Sequence, residues 1–134
     1  MKEIDEIRKY CLSKGYSKDV AEMNLEAQVS WWEKIVKYFV ESDYSNRFYI
    51  YDYLNDMDGR QILSECFALF SKNPKVELLK RLEIADKTLK GITRATERCI
   101  WGDEYAEEYG YDKKNHWWYF RRPKDADSSW DGIK

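Results

Sequence analysis

From Ile4 to Cys99, apolar residues recur mostly in steps of three and four, the spacing that lines one face of an α-helix. Ile4, Ile7 and Cys11 set the first such face. Glu3, Asp5 and Glu6 suit the positive end of a helix dipole and Gly15 supplies a stop, so a helix is predicted from about Lys2 to Ser13. Ser17 then suits an N-cap, with Asp19 in the following turn. Leu25, Val29, Trp32, Val36 and Phe39 alternate in steps of four and three, and Trp31, Ile35 and Tyr38 widen the seam. A second helix is therefore expected from Ser17 to about Glu41, at the centre of the core.

Past a polar break at 42–45, the segment Phe48–Leu54 carries two signals. Its aromatic and β-branched residues suit a strand, while Ile50, Leu54 and Met57 suit a helix face. A lone strand needs a ladder partner, and only the run Trp117–Phe120 could offer one, so a third helix is predicted from Ser45 to Met57. Asp58-Gly59 then reads as a corner opening a fourth helix, Arg60 to Ser71, that buries Ile62, Leu63, Cys66, Phe67 and Phe70. Asn73-Pro74 is the next boundary. Leu78, Leu82, Ala85, Leu89, Ile92, Thr96 and Cys99 predict a fifth helix from Lys75 to Trp101. It carries the acid-to-base pairs Glu77–Arg81, Glu83–Lys87 and Asp86–Lys90.

After Trp101-Gly102 the helical pattern stops. Asp103–Gly110 supports one or two turns, Tyr111–Asn115 is turn-rich, and then comes His116-Trp117-Trp118-Tyr119-Phe120-Arg121-Arg122-Pro123. The expectation is an all-α fold: a five-helix bundle, mostly antiparallel, as one domain over residues 1–123. The irregular aromatic-rich C-terminal segment packs against it, and 124–134 form a flexible tail.

Composition sharpens this picture. A chain of 134 residues can bury a core without metal or disulfide staples. Aromatic content of 16% beside charged content of 36% implies an aromatic interior under a charged outside. The net charge of −2 supplies no field for nucleic acid or an anionic membrane, and no apolar run approaches the roughly 20 residues of a membrane span. The charged start Met1–Glu6 lacks the apolar stretch of a signal peptide. Cys11, Cys66 and Cys99 form no C-x-x-C motif and fit buried thiols in a reducing compartment, so a cytoplasmic location is expected.

Candidate chemistry is sparse. His116 is the lone histidine and has no nucleophile beside it in the chain. Leu54–Glu65 mimics a calcium loop through Asp56, Asp58, Gly59 and Glu65, but Leu54 occupies the first ligand position, which favours the corner instead. Asp52 and Asp56 share a helix face without any Glu-x-x-His partner, which suits a solvated face or a patch for a basic partner. Lys80, Lys87, Lys90, Arg94 and Arg98 form a stripe that Arg121, Arg122 and Lys124 could extend. Interleaved acids disfavour nucleic-acid binding there, and pairing of Arg94 and Arg98 with Asp103, Glu107 or Glu108 is the simpler expectation. Four exposed rings would be a liability, so the aromatic run is expected to cap the bundle against Trp31, Trp32 or Trp101, leaving Arg121 and Arg122 in solvent.

The leading functional expectation is a binder rather than an enzyme. It would be a helical protein-interaction protein, similar in general character to small inhibitors such as immunity proteins or antitoxins. Its protein partner would meet Tyr105, Tyr109, Tyr111, His116, Trp117, Trp118, Arg121 and Arg122. No catalytic residue, metal or cofactor is assigned, and the two seams could equally pair copies into a homodimer. The alternative is a small-molecule site or unusual enzyme with an aromatic-lined pocket around His116, Tyr105, Arg98 and Glu108.

Overall fold

The computed structural model describes residues 2–41, 50–124, 126 and 130. Helix α1, Glu3–Ser13, buries Ile7 and Cys11 as its spacing predicts. Ser17 caps the short α2, Lys18–Ala21, its Oγ accepting the Val20 amide at 3.3 Å. The single second helix expected from Ser17 to Glu41 is divided, however. Asn24 acts as a second cap, accepting the Ala27 amide at 2.8 Å, and α3 starts at Leu25 and runs to Glu41. An Asn side chain competes well for free amides at a helix start, so it resets the helix where the apolar seam begins.

A larger correction concerns the predicted corner. One continuous helix, α4, Ile50–Ala68, runs straight through Asp58-Gly59. Gly59 is there for packing: a Cβ on it would lie 2.3 Å from Cη2 of Trp31. The glycine is a notch that lets α3 lay an indole against α4. The calcium-loop resemblance disappears with the corner, because the whole of 54–65 is helical. Residues 45–49 of the predicted third helix lie outside the described residues, and the rest of that segment is helical, not strand.

Helix α5, Val76–Ile92, stops well short of Trp101. Thr93–Ala95 forms β1 and pairs antiparallel with β2, Arg121–Pro123, with Thr93 opposite Pro123 and Ala95 opposite Arg121. The ladder extends through Thr96 N–H to the Phe120 carbonyl at 2.8 Å and Ile100 N–H to the Tyr119 carbonyl at 2.7 Å. Helix α6, Asp103–Tyr109, and a 3₁₀ turn, Trp117–Phe120, complete the chain. The all-α expectation holds, with six α-helices among the described residues and one short ladder added. Helix α3 lies along α5 and α4, and the 3₁₀ turn sits on α4.

The main core gathers Trp32, Tyr53, Leu54, Met57, Leu63, Leu89, Ile100 and Tyr119, and a smaller cluster joins Ile7, Cys11, Ala21, Leu25 and Cys66. Inside the main core lies a buried ion pair. Arg60, only 5% exposed, donates from Nε and Nη2 to the two carboxylate oxygens of Asp86 at 3.1 and 2.8 Å. Trp32 Nε1 donates to the same carboxylate at 2.9 Å. The Arg60 guanidinium carbon lies 4.4 Å from the Trp118 ring centroid, so the aromatic run closes over a cation. This pairing displaces the local pattern expected on α5. Asp86 turns to Arg60 instead of Lys90, Lys90 sits over Trp117, and Arg81 reaches Glu33 on α3.

Trp118, Tyr119 and Phe120 are buried, as the capping expectation requires, but Arg121 and Arg122 are not left in solvent. Arg122 is buried in the ladder, while Arg121 donates to Thr93 Oγ1 at 2.7 Å and to the Lys90 and Thr93 carbonyls at 3.0 Å each. These carbonyls end α5, where a cation complements the helix dipole. Most of the tail expected at 124–134 lies outside the described residues; Trp130 within it is buried, edge-on to Tyr53 at 5.5 Å.

Two stability predictions follow from these contacts. Asp86→Leu alone leaves the Arg60 charge buried without its partner and is expected to cost about 3–5 kcal/mol, whereas Arg60→Met with Asp86→Leu recovers most of that loss. Urea titration of both variants reads this directly, and additive losses would refute it. Gly59→Ala is expected to destabilise by about 1–3 kcal/mol despite the better helix former. In a Trp31→Leu background the same change is expected to stabilise by up to about 1 kcal/mol.

Candidate functional site

Each residue of α4 advances the helix by about 100°, so Asp58, Ile62 and Glu65 share one face, with Gln61 beside them. Over this face stand Tyr105 and Tyr109 of α6, Tyr111, His116 and Tyr119, with Lys14 and Tyr16 on the other side. The cleft between them holds about 620 Å³.

Two glycines shape the aromatic wall. Gly102 starts α6 at φ +102° and Gly110 ends it at φ +70°, in the region that favours glycine. The Tyr111 amide then bonds back to the Ala106 carbonyl at 2.9 Å, which returns Tyr111 toward the helix it has just left. Tyr105 and Tyr109, one turn apart, have centroids 4.6 Å apart, and Tyr111 stacks on Tyr119 at 4.7 Å. Asp112 rigidifies the next turn by accepting the Lys114 and Asn115 amides at 3.0 and 2.7 Å. Its own amide donates to His116 Nδ1 at 3.2 Å, so the neutral imidazole carries its proton on Nε2.

The floor carries two carboxylates, each already hydrogen-bonded. Glu65 Oε1 accepts the Tyr10 and Tyr16 hydroxyls at 2.6 Å each, and Oε2 accepts Gln61 Nε2 at 2.9 Å. Asp58 Oδ1 accepts the Tyr119 hydroxyl at 2.7 Å and Trp101 Nε1 at 3.0 Å. Burial nonetheless raises the Asp58 carboxyl above its ordinary pKa, against the pull of those two donors. Burial also raises the Tyr10, Tyr16 and Tyr119 hydroxyls, with the adjacent carboxylates adding to it, so all three stay protonated donors.

Of the residues expected to meet a partner, the structure brings Tyr105, Tyr109, Tyr111 and His116 together at this cleft. It separates the other four. Trp117 and Trp118 flank Arg60, and Arg121 and Arg122 belong to the ladder. Arg98 and Glu108 line an adjoining depression with Trp101 and Tyr105, where Arg98 Nε approaches Asp103 at 3.4 Å as expected. Arg94 and Arg98 have left α5, so the basic stripe is broken after Lys90. Asp58 and Glu65 entered the sequence reading only as ligands of a disfavoured calcium loop, and neither they nor Gln61 were expected at this cleft. Their spacing was available, but the assumed corner at Gly59 put Asp58 and Glu65 on different elements.

Other chemistry is weakly supported. Cys11, Cys66 and Cys99 are buried and burial raises all three thiols, that of Cys66 to about 12, which disfavours a thiolate nucleophile. Among the described residues no three His, Cys, Asp or Glu side chains converge as a metal site, and no helix is long and apolar enough to cross a membrane. The chain matches no protein-family model, no curated protein and no solved structure.

The Asp52–Asp56 pair yields a pH prediction. Burial, with Asp52 adding repulsion, pushes the Asp56 carboxyl up to about 7. A carboxyl raised on folding favours the native state while protonated, so stability is lost as pH rises from about 4 through 7. Asp56→Asn is expected to stabilise by about 2 kcal/mol at pH 8 and to make little difference at pH 4. Thermal melts at both pH values check it, and an equal effect at both would contradict the burial argument.

Proposed function

We propose that this chain is a small-molecule-binding protein whose ligand occupies the tyrosine-lined cleft. The supporting observation is convergence: three tyrosines and a histidine from the 105–116 segment face Asp58, Gln61 and Glu65 of α4 across a space of about 620 Å³. Concave sites of roughly 300–1,000 Å³ with a few placed polar groups are the usual form of ligand pockets. Binding fits better than catalysis, because the tyrosine hydroxyls on the floor are protonated and already committed to carboxylates.

A protein partner is the second reading, favoured by a separate observation. Between α3 and α5 lies a groove lined by Val36, Val40, Ile84 and Ala85 together with Glu33, Lys37 and Thr88, with Ile84 69% exposed. That surface, and not the buried Trp118–Phe120 segment, is where a macromolecule would dock.

Screening a fragment library by two-dimensional NMR separates the two readings. Hits are expected to shift resonances of Tyr105, Tyr109, Tyr111 and His116, and to lose affinity at least about tenfold in Tyr109→Ala. Tyr109 is 55% exposed and outside both core clusters, so its removal is expected to leave the core packing unchanged. Hits confined to the α3–α5 groove, or unaffected by Tyr109→Ala, would overturn the small-molecule reading of the cleft.

A further inference from the structure

We infer that the ligand is a cationic amine, its ammonium group held at Asp58 and its apolar portion in an adjoining crevice between α3 and α4. This assignment rests on the small-molecule reading of the cleft and gives it a chemical class.

The first argument is which polar groups remain available. The donors around the floor are directed at its own carboxylates: Tyr10, Tyr16 and Gln61 at Glu65, and Tyr119 and Trp101 at Asp58. Of the polar atoms on the floor, those left without a donor are acceptors, while donors remain on the wall at Lys14 Nζ and His116 Nε2. Asp58 takes both its donors on Oδ1, and among the described residues none reaches Oδ2. Gln61, only 9% exposed and part of the cleft wall, keeps a buried Oε1 with no donor among the described residues. A ligand that brings N–H groups can pair with Asp58 Oδ2, and with Gln61 Oε1 once that buried side chain turns toward the cleft, whereas one that brings lone pairs can pair with neither.

Charge points the same way. Two carboxylates lie on the floor, and the cleft wall carries the Lys14 ammonium, which lies over the Tyr10 ring at 5.8 Å. An anionic ligand would face Asp58 and Glu65 directly, whereas a cation relieves the burial of Asp58 and meets the electron-rich faces of the tyrosine wall.

The third observation concerns shape. A second space of about 260 Å³, lined by Val20, Met23, Gln28, Trp31, Asn55, Gly59 and Ile62, also borders Asp58. Asp58 and Ile62 line both cavities, so the carboxylate stands where an apolar crevice meets the polar cleft. A primary amine on an aryl or alkyl stem matches that junction.

The test compares three compounds of one shape class on the unaltered protein by calorimetry: 2-phenylethylammonium, 2-phenylethanol and 3-phenylpropanoate. The ammonium is expected to bind at least about tenfold tighter than the alcohol, and the carboxylate more weakly than either. Asp58→Asn, which keeps an acceptor for Tyr119 and Trp101, is expected to weaken ammonium binding about tenfold while leaving the alcohol unchanged. Equal affinity of alcohol and ammonium, or tighter binding of the carboxylate, overturns the cation assignment even if the variant proves too unstable to use. If none of the three binds while other fragments occupy the cleft, the amine class is wrong and the small-molecule reading stands. If no fragment binds there either, both fail.

Discussion

The buried pair of Arg60 and Asp86 is the constraint around which the rest of this fold is arranged. Taking two charges out of water costs several kcal/mol per ion unless their hydrogen bonds are replaced; those of the Asp86 carboxylate are replaced from two other helices, while Arg60 Nη1 is buried with no hydrogen-bond partner among the described residues. Asp86 on α5 receives two bonds from Arg60 on α4 and one from Trp32 on α3. Moving any of these helices relative to the others breaks a bond to a charged group in a water-poor interior, the most costly kind to lose. Apolar seams alone tolerate sliding. The ion pair fixes one register among α3, α4 and α5.

It also explains the run of aromatics. A guanidinium that has given Nε and Nη2 to Asp86 still presents a flat cationic face, and Trp118 covers it. The next residue in the 3₁₀ turn, Tyr119, reaches Asp58. Asp58 and Arg60 are two positions apart on α4 and so lie on nearly opposite sides of it. The turn therefore holds α4 from both sides, by a ring over a cation and a hydroxyl on a carboxylate. The cleft is a product of that grip, since Tyr119 closes its floor and stacks on Tyr111 in its wall. The tryptophans, which look like the recognition element in the sequence, pack on Arg60, and the tyrosines before them line the cleft.

Much of this fold is legible in the amino-acid order, and the failures share a cause. The seams from Leu25 to Phe39 and from Leu78 to Leu89 were readable because burial repeats with the helical period. Gly59 was misread and Asn24 was passed over, because each serves a purpose that local rules assign elsewhere. Glycine usually marks a turn but here accommodates Trp31, and asparagine inside an apparent helix here starts a new one. The ladder of Thr93–Ala95 with Arg121–Pro123 and the pair Arg60–Asp86 join residues about 26 to 30 apart, beyond the reach of periodicity. Asp86 even had a plausible neighbour in Lys90. At the cleft, Tyr105, Tyr109, Tyr111 and His116 were visible as a polar-aromatic cluster, but their counterpart on α4 became visible only once the helix ran unbroken through Gly59.

The most direct measurement is hydrogen exchange at the Trp32 indole, which is fully buried and donates to Asp86. If the ion pair locks the three helices together, this N–H exchanges only when the whole domain unfolds, with an opening free energy equal to the global stability from urea titration. Exchange through local opening, at a free energy several kcal/mol below the global value, would show that α3, α4 and α5 are not held by that pair.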